Sequence, residues 1–149
     1  MDGTAGRLAH WLRILGLDVE YSPVAERSAI LRLARQSGRK VVTRNTALAE
    51  RLRGAAILLA SQDLEGQLRQ VVRGLGAGRC KAFSRCSECN AVLEEVSKES
   101  VRGRVPVYVF RTQDRFSVCP VCGRYYWHGT HWRHMLGRVA RALEGTGHE

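Results

Sequence analysis

The chain has 149 residues, with 24 lysines and arginines against 14 acidic residues and a formal charge of +10. That length suits one ordinary domain or two small ones sharing a surface. Five cysteines, an odd number, fit poorly with a closed disulfide framework, and the longest plain apolar run, near residues 55–60, is far short of a membrane span.

The N-terminus has no signal-peptide pattern. A soluble, cytoplasmic chain in a reducing compartment, without a membrane partner, is therefore expected. The positive charge is almost all arginine, with lysine only at Lys40, Lys81 and Lys98. Arginine's planar fork suits phosphate oxygens, so the expected partner is a polyanion, most often nucleic acid.

In chain order, Leu8, Trp11, Leu12 and Leu15 fall at i, i+3, i+4 and i+7. That spacing predicts an amphipathic helix over residues 5–15, with Gly16 as its left-handed stop. Val19 and Tyr21 favour a short strand over residues 17–21. Ser28 opens a predicted helix to Ser37, with Ile30, Leu33 and Ala34 inward and Gly38 as its end. Strands are expected at residues 40–43 and 56–59, the second fully buried, with a short helix between them over residues 45–53. Ser61 or Asp63 caps a further helix carrying Leu64, Leu68, Val71, Val72 and Leu75 on one side. Alternating strands and helices imply parallel strands with helical crossovers, the α/β class. The expected unit is residues 1–78, closed by a linker at Gly74, Gly76 and Gly78.

Residues 79–149 have a different texture. Two Cys-x-x-Cys knuckles, Cys86/Cys89 and Cys119/Cys122, stand either side of a long loop. Two residues between cysteines let one tight turn aim two sulfurs at one metal, and two such turns complete a tetrahedral structural zinc site. Disulfides or free thiols are the competing reading, and Cys80 is the spare. The loop should contain a hairpin, with strands at residues 105–110 and 116–118 and a turn at 112–115. Thr130 is the expected N-cap of a last helix, with Trp132, Leu136, Val139, Ala140 and Leu143 inward and His134, Arg138 and Arg141 outward. Tyr125, Tyr126 and Trp127 sit beside Arg124, Arg133 and Arg138, a mixture that can stack on bases and hold phosphates. Trp127 is expected to pack inward. Arg124, Arg133, Arg138 and Arg141 are the candidate RNA-binding residues. His128, His131 and His134 are better suited to capping, stacking and hydrogen bonding than to a second metal site.

Several pieces together resemble one family: Asp2-Gly3, Gly6-Arg7-Leu8-Ala9, the run from Trp11-Leu12-Arg13 to Leu15-Gly16, and Thr43-Arg44-Asn45. To these belong Arg85-Cys86-x-x-Cys89-Asn90, Cys119-x-x-Cys122-Gly123 and Tyr126-Trp127-x-Gly129-Thr130-His131. The chain is similar to the Mut-seven C-terminal RNAse domain family, which pairs a PIN-like nuclease fold with a C-terminal zinc ribbon. The resemblance implies a metal-dependent ribonuclease with carboxylates gathered round Mg²⁺ or Mn²⁺ at the C-terminal ends of parallel strands. Asp2 matches the first catalytic aspartate, and Glu26 lies near the place of a third acidic residue. The sequence departs from the family in two places. No apolar strand precedes Asp2, so the sheet is expected to lack its first strand. Asn45 stands where the family has aspartate, and it is equally suited to cap the following helix. Two functions follow as expectations: a metal-dependent endoribonuclease of weak activity, or a non-catalytic RNA-binding module on the same scaffold.

Overall fold

The computed structural model describes residues 3–21, 27–76, 81, 83–127, 129, 133, 134, 137, 138, 140 and 141. It is a mixed α/β arrangement with two small sheets. In the N-terminal half the elements are α1 (Gly3–Ile14), α2 (Arg27–Ser37), β1 (Val41–Thr43), α3 (Thr46–Leu52), β2 (Ala56–Leu58) and α4 (Leu64–Leu75). β1 and β2 run parallel with Val42 opposite Ile57. Both of these side chains pack on one cluster formed by Leu8, Leu12, Ile14, Leu15 and Leu17 with Leu68, Val71 and Val72. The cluster exists because α1 and α4 each place apolar residues three and four apart, and the two helices lie against each other.

Local chemistry sets the helix ends. Asn45 Oδ1 accepts from Leu48 N at 3.0 Å and starts α3. Asp63 Oδ2 accepts from Gly66 N at 3.2 Å and starts α4. Each cap satisfies an N–H that the first helical turn cannot.

The C-terminal half is an antiparallel sheet of β3 (Glu94–Val96), β4 (Phe116–Val118) and β5 (Tyr125–Tyr126), with α5 (Val107–Thr112) between β3 and β4. Val101, Val105, Val109 and Phe116 form a second, smaller cluster, flanked by Phe110, Tyr125 and Trp127. Phe116 and Trp127 meet with ring centroids 6.5 Å apart, so Trp127 does pack inward.

Several expectations from the sequence are corrected. Residues 17–21 form no strand, because their polar groups are taken elsewhere. Val19 N donates to Asn90 Oδ1 at 2.9 Å, and Val19 O accepts from Arg13 Nη2 at 3.0 Å. Residues 105–110 are not a strand either, since most of them belong to α5. Val105 and Val109, four apart, face the core, while Val107 and Tyr108 are 65% and 70% exposed. Pro106 at the helix start needs no N–H partner. β4 pairs instead with Glu94–Val96, whose two glutamates hide the strand from a hydropathy reading. In α2 the inward residues are Leu31 and Ala34, and Leu33 is 51% exposed. The sequence offers two stripes that share Ala34, and only packing chooses between them. β2 is half-buried rather than fully buried, with Ile57 turned to the core and Leu58 outward. Gly74 lies in the last turn of α4 against Ile57, so the expected linker begins later than it.

Helical backbone is present at residues 133, 134, 137, 138, 140 and 141, in the region where a last helix was expected. Ala140, expected inward, is exposed. Asp2, Glu26, Cys80, His128, Thr130, His131, Trp132, Leu136, Val139 and Leu143 lie outside the described residues or have undescribed side chains. No helix among the described residues is long and apolar enough to cross a membrane.

Gly16 marks the closest approach of the two halves. It has φ +89, and a Cβ there would stand 2.0 Å from Lys81 O. Lys81 N donates to Leu15 O and Phe83 N to Ile14 O across this seam. Gly38 has φ +70 and open space around it. Gly38→Ala should therefore cost only left-handed strain, about 1–2 kcal/mol. Gly16→Ala adds a backbone clash and should cost roughly 3 kcal/mol or more. Urea denaturation midpoints of the two variants test this; equal losses would show that the seam does not need the glycine.

Candidate metal centre

Cys86, Cys89, Cys119 and Cys122 are free thiols whose sulfurs all lie within 4.8 Å of one another. The two knuckles share one geometry. Cys86 N donates to Ala91 O and Asn90 N to Cys86 O, each at 2.9 Å. Cys119 N donates to Arg124 O and Gly123 N to Cys119 O, again at 2.9 Å. In each knuckle the second cysteine's N–H points at the first sulfur: Cys89 N to Cys86 Sγ at 3.4 Å, and Cys122 N to Cys119 Sγ at 3.5 Å. The residue after each pair turns left-handed, Asn90 at φ +69 and Gly123 at φ +77. Asparagine and glycine tolerate that region best.

The four sulfurs fit a metal ion. Ligands ~2.3 Å from a tetrahedral centre stand about 3.8 Å from one another, and Cys86 Sγ is 3.8 Å from Cys122 Sγ. The donor set is consistent with structural zinc. Protonation points the same way. Burial opposes a Cys86 thiolate, but hydrogen bonds from Tyr126 and from backbone N–H groups outweigh it and bring this thiol down to about 7. Tyr126 Oη is 3.0 Å from Cys86 Sγ. Burial and this contact push the phenol up to about 12, so it keeps its proton and donates. Hydrogen bonding with Cys122 and burial push Cys89 up to about 12. Four thiols this close cannot all ionise unaided, and a cation removes the conflict.

The metal centre is bolted to α1. Arg13 Nη1 donates to Ser87 O at 3.2 Å and Glu88 O at 3.0 Å, while its Nε and Nη2 hold Val19 O. Asn90 Nδ2 donates to Asp18 Oδ1 at 2.7 Å. With Arg39, this contact holds the Asp18 carboxyl below its usual range.

A family model described as Mut7-C RNAse domain matches residues 1–139. The chain belongs to the Mut7-C RNAse domain family. No match was found among curated proteins or among solved structures. The Mut7-C match spans both knuckles and the seam residues Arg13, Gly16 and Asn90.

Of the nuclease candidates, only Asn45 is described. It is exposed just beyond the end of β1, with Oδ1 committed to Leu48 N. A cleft of about 560 Å³ lies beside the start of α4, walled by Arg7, Asp63, Glu65 and Arg138 among others. Both Asp63 oxygens are engaged, one by Ser61 Oγ at 2.7 Å and one by Gly66 N. The described residues therefore offer no ready carboxylate pair for a hard cation at this end of the sheet.

The candidate RNA-binding arginines divide. Arg124 and Arg133 are exposed. Arg138 Nε and Arg141 Nε lie 3.9 and 3.7 Å from Glu65 Oε1, and Arg138 also covers the Trp11 ring at 4.8 Å. Sequence reasoning gave no role to Tyr126 as the sulfur's donor or to Arg13 as the bolt. The motifs that hold them, Tyr-Trp-x-Gly-Thr-His for Tyr126 and Leu-Arg-x-Leu-Gly for Arg13, were the available signal.

Cys119→Ala should lose the bound metal and melt the β3–β5 sheet. Tyr126→Phe should keep the metal but weaken it roughly tenfold, as lost outer-shell partners do. Metal content and chelator competition read both; full metal retention by Cys119→Ala would exclude a four-thiol site.

Proposed function

We propose that this chain is an RNA-directed member of a ribonuclease family, cytoplasmic, with structural zinc on its four cysteines and a weakened nuclease centre on a PIN-like sheet. In this reading the centre comprises Asp2, Asn45 and Glu26 and takes Mg²⁺ or Mn²⁺. RNA is met by Arg124 and Arg133, with Arg138 and Arg141 contributing less because Glu65 shares them. The charge of +10 supports a polyanionic partner, and the family match supports RNA as that partner.

One observation supports holding over cutting. Asn45 spends its only side-chain oxygen on the Leu48 N–H. An aspartate at this position would cap the helix with one oxygen and keep the other for a cation. Asparagine's remaining atom is an amide nitrogen, a donor that no cation accepts. The exchange also removes a full negative charge, and a contact charge counts for several kcal/mol even at an effective dielectric of about 20. This favours the second reading, a module that holds RNA with little or no cleavage.

Asn45→Asp should keep the α3 cap, strengthen Mn²⁺ binding at least tenfold and raise metal-dependent cleavage of a labelled single-stranded RNA. Calorimetry and a gel assay measure the two effects. Vigorous cutting by the unaltered chain, abolished by Asp2→Asn, would reverse the proposal.

A further inference from the structure

A second groove, of about 410 Å³, runs along the seam between α1 and the two knuckles. Its lining includes His10 of α1, Glu88 of the first knuckle, Arg104, Arg124 and the row Tyr125–Tyr126 with Trp127. We propose that this groove is a subsite for one or two unpaired nucleotides of single-stranded RNA, with phosphates on Arg104 and Arg124 and a base against the aromatic row. The inference rests on the RNA-directed reading above and gives it a location that the last helix does not provide.

Charge is the first support. Several guanidiniums are already engaged: Arg39 with Asp18, Arg102 with Glu99, Arg115 with Glu95, and Arg138 and Arg141 with Glu65. Arg104 and Arg124 are exposed, and among the described residues neither has an ion-pair partner. Glu88, the acidic residue of the groove, has His10 Nδ1 3.7 Å from its carboxylate. Two free forks therefore face a groove whose single acid is partly answered by a histidine. That is the charge pattern for a phosphodiester.

Rigidity is the second. Tyr126 is held from behind by Cys86 Sγ and Trp127 by Phe116. Rings fixed in advance lose little freedom when a base stacks on them, and stacking tolerates any base. Gly123 adds no side chain, and nothing lies within 4 Å of where its Cβ would be, which leaves room for backbone or sugar. An unpaired strand fits these features better than a duplex, whose bases are stacked among themselves.

The test uses the full metal-loaded chain without added Mg²⁺ or Mn²⁺, a labelled ten-nucleotide oligouridylate and a labelled RNA duplex. The double variant Arg104→Gln/Arg124→Gln is compared with Arg32→Gln/Arg35→Gln, which removes the same charge from the exposed surface of α2. The groove variant should bind the oligouridylate at least tenfold more weakly. Its log affinity against log salt should be flatter by about 1.4, at ~0.7 per single-strand phosphate. The control pair should change affinity less than threefold. A 4-thiouridine oligomer should crosslink to residues 123–127. Equal losses in the two pairs, crosslinks only elsewhere, or tighter binding of the duplex would overturn the subsite while leaving RNA binding intact. No binding of either RNA by the unaltered chain would instead overturn the RNA-directed reading itself.

Discussion

The guanidinium of Arg13 joins the two halves of this protein. It reaches from α1 to the carbonyls of Val19, Ser87 and Glu88. Ser87 and Glu88 are the two residues between the first pair of metal-binding cysteines. Holding their carbonyls fixes the turn, and the turn fixes the sulfurs. Asn90 works beside it, tying Val19 N and Asp18 to the residue just past the knuckle. Lysine could not do Arg13's work, because a single ammonium cannot present a planar fork to three carbonyls in different directions. Removing the arginine would leave partly buried carbonyls without donors, at about 1–3 kcal/mol for each group left unsatisfied.

That bolt matters because the C-terminal sheet has little else to rely on. Among the described residues its cluster has four buried members, and its strands are two or three residues long. Short strands with a small core are marginal in water. A metal ion on the four sulfurs would supply what the core lacks, and the seam would pass that order to α1 beside Gly16, where the backbones approach closely. Tyr126 links the same order to the groove: one face of the residue serves a sulfur and the next residue in the row, Trp127, serves the core. A ring position that is needed for folding is thereby also fixed for binding.

Legibility followed range. α1, α4, the two caps and both knuckles were readable because their causes lie within about four residues of each other: a stripe, a side-chain oxygen, a left-handed glycine. Residues 17–21 misled because their hydrogen-bond partners, Arg13 and Asn90, come from opposite sides in sequence, one of them more than seventy residues away. Residues 105–110 misled because a run of valines and aromatics satisfies strand preference as well as a helix face, and the burial of Val105 and Val109 was not visible. Glu94–Val96 was missed for the opposite reason: pairing to β4, not hydropathy, makes it a strand. The positive charge pointed to a polyanion, but which arginines were spent internally could not be read. Arg13 and Arg138 are engaged inside the protein, while Arg104 and Arg124 are exposed and have no ion-pair partner among the described residues.

Asn45 shows where fold and chemistry separate. As an N-cap, asparagine and aspartate are near equals, since each has one oxygen for the Leu48 N–H. Helix α3 and the register of β1 against β2 therefore place the same demand on either residue. A divalent cation does not. It is held better by a carboxylate's charge and spare oxygen, and the amide supplies neither. The constraint that shapes the backbone is thus blind to the change that most affects a metal at the sheet's end. The same backbone can therefore carry either residue, while the one side-chain atom that differs changes what a cation would find there: a second carboxylate oxygen, or an amide nitrogen that offers it nothing.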